Sequence, residues 1–172
     1  NLLLDLLRQH PWRWREMFVR VGLGLTLAAR GDSAGARAQY GAALLIARDM
    51  HTPEPVTFAA SALAITLVES GDLPAARQAL HDALEASLVL RVDHLRPLTA
   101  AAYIAHADGE SALAAEWCGM LVAHWRGDRV FRVLLNRLIP VLQAALGALP
   151  FRAAFDAGAH LDPSDVVARL IE

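Results

Sequence analysis

Residues 63–90 read LAITLVESGDLPAARQALHDALEASLVL, and everything else in the chain is measured against this stretch. Before Gly71, the apolar residues Leu63, Ile65, Leu67 and Val68 alternate with small ones, which suits a helix whose faces are shared with neighbours. Gly71 can end that helix in a left-handed conformation that a Cβ would disfavour. Asp72 then offers a carboxylate to the unpaired N–H groups of a second helix. Pro74 falls in the first turn of that helix, where a missing N–H costs nothing. Ala76, Leu80, Ala83 and Leu84 continue at helical spacing, so the stretch predicts two antiparallel helices around a Gly-Asp corner.

A shift of 40 residues lays Leu23–Met50, LGLTLAARGDSAGARAQYGAALLIARDM, over this unit without a gap. Gly24 falls on Ala64, Leu27 on Leu67, Gly31 on Gly71, Asp32 on Asp72, Ala36 on Ala76, Tyr40 on Leu80 and Ala43 on Ala83. A weaker third copy runs from about Leu98 to Trp125. It has Ala102 and Ala105 before Gly109, and Ala114, Cys118 and Leu121 after it, with Glu110 in place of the aspartate. One hairpin cannot bury its own apolar face, so copies must stack.

A small residue in the first helix, a Gly-Asp corner, an alanine five on and a bulky residue nine on together resemble the tetratricopeptide repeat. The repeat-defining positions are Gly24, Gly31 and Ala36, then Ala64, Gly71 and Ala76, then Gly109 and Ala114. The spacings of 40 and 38 residues exceed the usual period of about 34 and imply longer helices. The resemblance implies an all-α fold, a TPR-like superhelix of antiparallel hairpins. Its units lie at about 12–50, 54–90 and 95–125, with a partial helix at 1–9 and a C-terminal helical cap at 126–172.

At 172 residues and 55% hydrophobic, the chain can bury a sizeable core. Mean hydropathy is +0.33, much of it from alanine, and no apolar run reaches the roughly 18 residues a membrane span needs. No membrane contact and a cytoplasmic location are therefore expected. All 16 basic residues are arginine against 18 acidic residues, a net charge of −2 that gives no general pull toward nucleic acid. Without lysine there is no GxxxxGK[ST] phosphate loop. A single cysteine, Cys118, fits a reducing compartment and reads as a buried small hydrophobe. The opening NLLLDLLRQH has no initiator methionine and no signal-peptide pattern, as expected of a piece of something longer. Trp12 and Trp14, which introduce a long helix to Arg30, are expected to cover an open core.

Beyond Arg126 the repeat signature stops. A helix from about Asp128 meets Pro140, which should kink it rather than end it. A short helix follows Pro150, with Gly158 as its stop. Asp162-Pro163-Ser164-Asp165 then signals the start of a last helix. Leu146-Gly147, Phe151, Phe155, Gly158, Leu161 and Val166-Val167, with GESALAAEWCGML at Gly109–Leu121, resemble the C-terminal end of large bacterial regulators. These are transcriptional regulators of the LuxR and SARP types and the related signal-transduction ATPases. The resemblance implies an arm that senses a signal or docks a partner; nucleotide and DNA binding would lie in other domains. The alternative is a stand-alone TPR scaffold unrelated to transcription.

In the repeat frame the groove-facing positions of the first helices are Phe18, Val21 and Leu25, then Phe58, Ser61, Ile65 and Glu69, then Arg96, Tyr103 and His106. This mostly apolar row is the expected partner surface. Either another segment of the parent chain fills it, or it accepts an apolar helix or a small-molecule effector. A homodimer is also compatible with the apolar ends. Seven histidines include no HxxxH pair and none beside a second cysteine, so no metal, no cofactor and no catalytic residue is expected. Arg126, Arg129, Arg132 and Arg137 form a local basic patch that reads as a solvated face, with no aromatic stacking residue among them.

Overall fold

The computed structural model describes residues 11–90, 94–125 and 129–171. Among them every regular element is a helix: α1 (Pro11–Ala29), α2 (Ser33–Asp49), α3 (Pro53–Glu69), α4 (Leu73–Leu90), α5 (Leu95–Ala107), α6 (Ser111–His124), α7 (Arg129–Leu146), α8 (Ala148–Gly158) and α9 (Pro163–Ile171). The fold is all-α, built from TPR-like helix hairpins. The helix expected at residues 1–9 lies outside the described residues, as does the segment 126–128 where repeats are expected to give way to a cap.

The three hairpins close with one hydrogen-bond pattern. Gly31, Gly71 and Gly109 have φ of 82°, 80° and 90°. Each donates its N–H three residues back, to Ala28, Val68 and His106, all at 3.0 Å. The next residue donates five back, from Asp32 to Leu27, from Asp72 to Leu67 and from Glu110 to Ala105, all at 2.9 Å. Two carbonyls at the end of the first helix are thereby satisfied, one by the left-handed glycine and one by the residue after it. Asp32 and Asp72 also begin the second helix, since their carboxylates accept from the N–H of Gly35 at 2.8 Å and Ala75 at 3.3 Å. Glu110 makes no such bond. Its side chain is one methylene too long for the short return to the backbone.

By its contacts the chain groups into two units, Asn1–Leu90 and Arg91–Glu172. In the first, α1 packs on α2, α2 on α3 and α3 on α4, while α1 also meets α3. Met17, Val21, Tyr40 and Ile65 are fully buried, and burial of each such side chain contributes roughly 1.5–3 kcal/mol. α3 is buried over most of its surface, where Ala59, Ala60, Ala62 and Ala64 let neighbouring helices approach closely. Gly24 has a more specific reason: an added Cβ would lie 2.7 Å from the Tyr40 ring.

In the second unit α5 packs against α6 and α7, α6 against α7 and α8, and α9 against both α5 and α6. α7 continues past Pro140 and is not ended by it, as expected. Gly158 does close α8, yet it lacks the left-handed conformation of the hairpin glycines. Its reason is packing. A Cβ at Gly158 would run into the Glu116 backbone, and one at Gly119 into the Phe155 backbone, so α6 and α8 cross main chain to main chain.

Candidate partner-docking surfaces

The inner row of the first unit comes from one side of α1 and α3. Trp14 stacks on Phe18 with ring centroids 5.3 Å apart, and Phe18 meets Phe58 edge-on at 5.6 Å. Phe18 is half exposed, whereas Val21, Phe58 and Ile65 are buried. Ser61 is buried without a hydrogen-bond partner for its hydroxyl. Leu25 is partly covered, and Glu69, at the end of α3, is exposed. The row is thus a buried seam with Phe18, Leu25 and Glu69 at its accessible edge.

In the second unit Arg96 and His106 are partly exposed and Tyr103 is buried. The Tyr103 hydroxyl donates to the Leu134 carbonyl of α7 at 2.8 Å, fixing α7 against α5. His106 Nδ1 lies 2.9 Å from Ser111 Oγ, bridging the corner where Glu110 fails to cap. Repeat spacing alone does not foretell such internal use of polar groups, because the partners come from other elements.

The sequence reading also missed a groove on the outer side of the first unit. α2 and α4 stand apart over α3 and leave a volume of about 690 Å³, floored by Leu63 and Leu67 and walled by Leu44, Leu45 and Ala79. Arg37 reaches Asp72 across it at 3.0 Å, and Arg48 reaches Asp82. Pairs this exposed contribute little, about 0–1 kcal/mol each. The available signal was the run of small residues Ala38, Gly41 and Ala42 on one wall, opposite Ala75 and Ala79.

Two expectations need correction. Trp14 is buried, but Trp12 is 77% exposed and carries Arg15 over its ring at 5.5 Å. Trp14 shares its side of α1 with Met17 and Val21, and two residues along a helix reverse the facing. An aromatic ring does stand among the arginines: Arg132 lies 5.7 Å over Trp125. Arg126 is outside the described residues.

Burial pushes the Cys118 thiol up to about 12, so it is neutral and unreactive at ordinary pH. Among the described residues no three His, Cys, Asp or Glu side chains are grouped to hold a metal ion. No helix among them is long and apolar enough to cross a membrane.

The first two hairpins are tetratricopeptide-like repeats. The family model for the tetratricopeptide repeat matches residues 17–42 and 57–82, two windows in the same 40-residue register as the internal copies. No curated protein and no solved structure matches the chain.

Proposed function

We propose that this chain is a protein-binding repeat domain that acts by docking rather than catalysis, as the signal-sensing or partner-docking arm of a cytoplasmic bacterial transcriptional regulator. The observation that carries the binding reading is the coincidence of both tetratricopeptide matches with hairpins of identical corner geometry. Repeats of this kind are binding scaffolds, and their stacked helices give shape rather than reactive groups. The regulator context rests on the resemblance of Leu146-Gly147, Phe151, Phe155, Gly158 and Val166-Val167 to the close of such proteins. In support, Val166 and Val167 are buried and the rings of Phe151 and Phe155 lie 5.4 Å apart.

Partners of this arm are proteins or peptides, including other domains of the parent chain, with a small-molecule effector as a further class. Nucleic acid is left to those other domains. A homodimer is compatible with the exposed apolar residues. In the first unit the partner edge comprises Phe18, Leu25 and Glu69, with Val21, Phe58, Ser61 and Ile65 buried beneath it; in the second unit Arg96 and His106 are taken by themselves as partly exposed candidates, with Tyr103 buried on the same helix.

Two measurements test this. Reading the gene on either side of the segment should reveal a nucleotide-binding or DNA-binding domain in the same frame; a lone repeat array would replace the regulator with the stand-alone scaffold. Affinity capture with the wild-type chain and Phe18→Asp should then differ in the proteins retained. Identical capture would remove the inner edge as the docking surface.

A further inference from the structure

The groove between α2 and α4 has an apolar floor and a charged pair at each end. Arg37 and Arg48 both line it, and their separation along α2 is roughly three turns, so they face the same side about 16 Å apart. Each pairs with an aspartate across the groove, but the two members of a pair are not equally engaged. Asp72 uses both oxygens, Oδ2 for Arg37 and Oδ1 for the Ala75 N–H. Asp82 does the same, taking Arg48 on Oδ2 and the Gln78 side-chain amide on Oδ1 at 3.3 Å. A guanidinium carries several N–H donors in a planar fork, yet Arg37 gives only Nη1 to Asp72 and Arg48 only Nη2 to Asp82. The arginines are also the outer members, with side chains 53% and 52% exposed against 35% and 19% for the aspartates. The groove is therefore left with unused donors and outward positive charge at both ends. Gly41 adds an independent sign. Glycine inside a helix is unfavourable, and Gly24, Gly119 and Gly158 have reasons within the chain, since a Cβ at each would strike a ring or main chain. A Cβ at Gly41 would meet nothing within 4 Å, although Gly41 stands on the groove wall near Leu45, which is 67% exposed.

We infer that this groove is a second docking surface, beyond the inner edge proposed above, and that it seats an acidic amphipathic helix of a partner protein. Two carboxylates of that helix, roughly three turns apart, meet Arg37 and Arg48, and a face of small and apolar residues between them lies over Leu63 and Leu67. Charge complementarity sets the sign of the partner. A carboxylate arriving at either guanidinium forms a charge-assisted bond through an unused N–H, and the aspartate already there keeps its own. The apolar floor sets the partner's backbone. An extended peptide would bring unpaired N–H and C=O groups onto leucines, whereas a helix satisfies its own main chain. Ala38 and Gly41 on one wall and Ala75 and Ala79 on the other leave that helix room to settle between α2 and α4.

The test uses the full 172-residue chain and a fluorescein-labelled helical peptide with alanine and leucine along one face and two glutamates about three turns apart beside it. A twin peptide carries glutamine at both of those positions. Fluorescence anisotropy is expected to show saturable binding of the glutamate peptide, at least about tenfold tighter than the twin. Arg37→Gln combined with Arg48→Gln should erase that difference while leaving the thermal melt in place, because pairs this exposed add little to stability. Gly41→Leu fills the groove where the chain itself leaves space and favours the helix. It should abolish binding without lowering the melting temperature. Val133→Asp, at an exposed position in α7, should change neither. Absence of saturable binding, equal binding of the twin, a difference that survives loss of both arginines, or full binding by Gly41→Leu overturns the inference. Sedimentation of the unlabelled chain as a dimer that Gly41→Leu dissociates would make the occupant a second copy and overturn it too. None of these results depends on Phe18 or on the parent gene, so the inner edge, the regulator reading and this one fail separately.

Discussion

Gly24 and Tyr40 occupy one repeat position pair, Ala64 and Leu80 a second, and Ala102 and Cys118 a third. All six are buried, so the small partner and the large one divide a fixed space between them. Gly24→Ala puts a methyl against the Tyr40 ring and is expected to destabilise the first unit by about 1–2 kcal/mol, the usual scale of overpacking. In a Tyr40→Leu background the sign should reverse. The methyl then fits and the helix gains up to about 1 kcal/mol from replacing glycine. A double-mutant cycle by urea denaturation checks both numbers, and additivity would show that the two positions do not share that space. At the start of α9, Asp162 accepts from the Ser164 N–H at 2.7 Å. That backbone bond and a side-chain bond from Ser164 lower the pKa of the exposed carboxylate. A lowered folded-state pKa contributes stability above the unfolded value, lost as pH falls through the folded one. Between about pH 4 and lower values, the stability profile of Asp162→Asn should therefore slope less than that of the wild type, as thermal melts across this range can measure.

At the scale of elements, the corners were legible because their causes are local. Gly71 needs a positive φ and Asp72 needs a nearby N–H, and both requirements lie within four residues of the glycine. The third corner shows what happens when one requirement is dropped: Glu110 leaves the cap unmade, and His106 with Ser111 bridges the same turn. Glu110→Asp is expected to raise the stability of the second unit by about 0.5–1 kcal/mol by restoring the cap. Chemical denaturation of the variant would show no gain if the His106–Ser111 bridge already makes up the loss. The inner row was legible as a row but not as a seam. Its spacing follows from the helix, whereas the burial of Phe58, Ser61 and Ile65 depends on neighbours far along the chain. The same limit hid the groove between α2 and α4, since its walls are separated by a whole repeat.

For the molecule as a whole, the sequence marks where repeats begin and end, while contacts mark which of them share a core. The first unit comprises residues 1–90 and carries two complete hairpins with Tyr40, Met17 and Ile65 at its centre. A fragment of residues 1–90 is expected to retain helical circular dichroism and a cooperative melt, because its contacts are nearest-neighbour ones. A fragment without a melting transition would show that its core is incomplete alone.

The crossing of α6 and α8 differs in kind from the rest of the packing. Gly24 faces a ring, and trimming that ring would reopen the choice of residue there. Gly119 and Gly158 each face main chain, which no substitution elsewhere can trim. A saturation library should therefore tolerate hydrogen alone as the side chain at these two sites, and second-site suppressors of any other choice should be found by shifting a helix, never by swapping a neighbour.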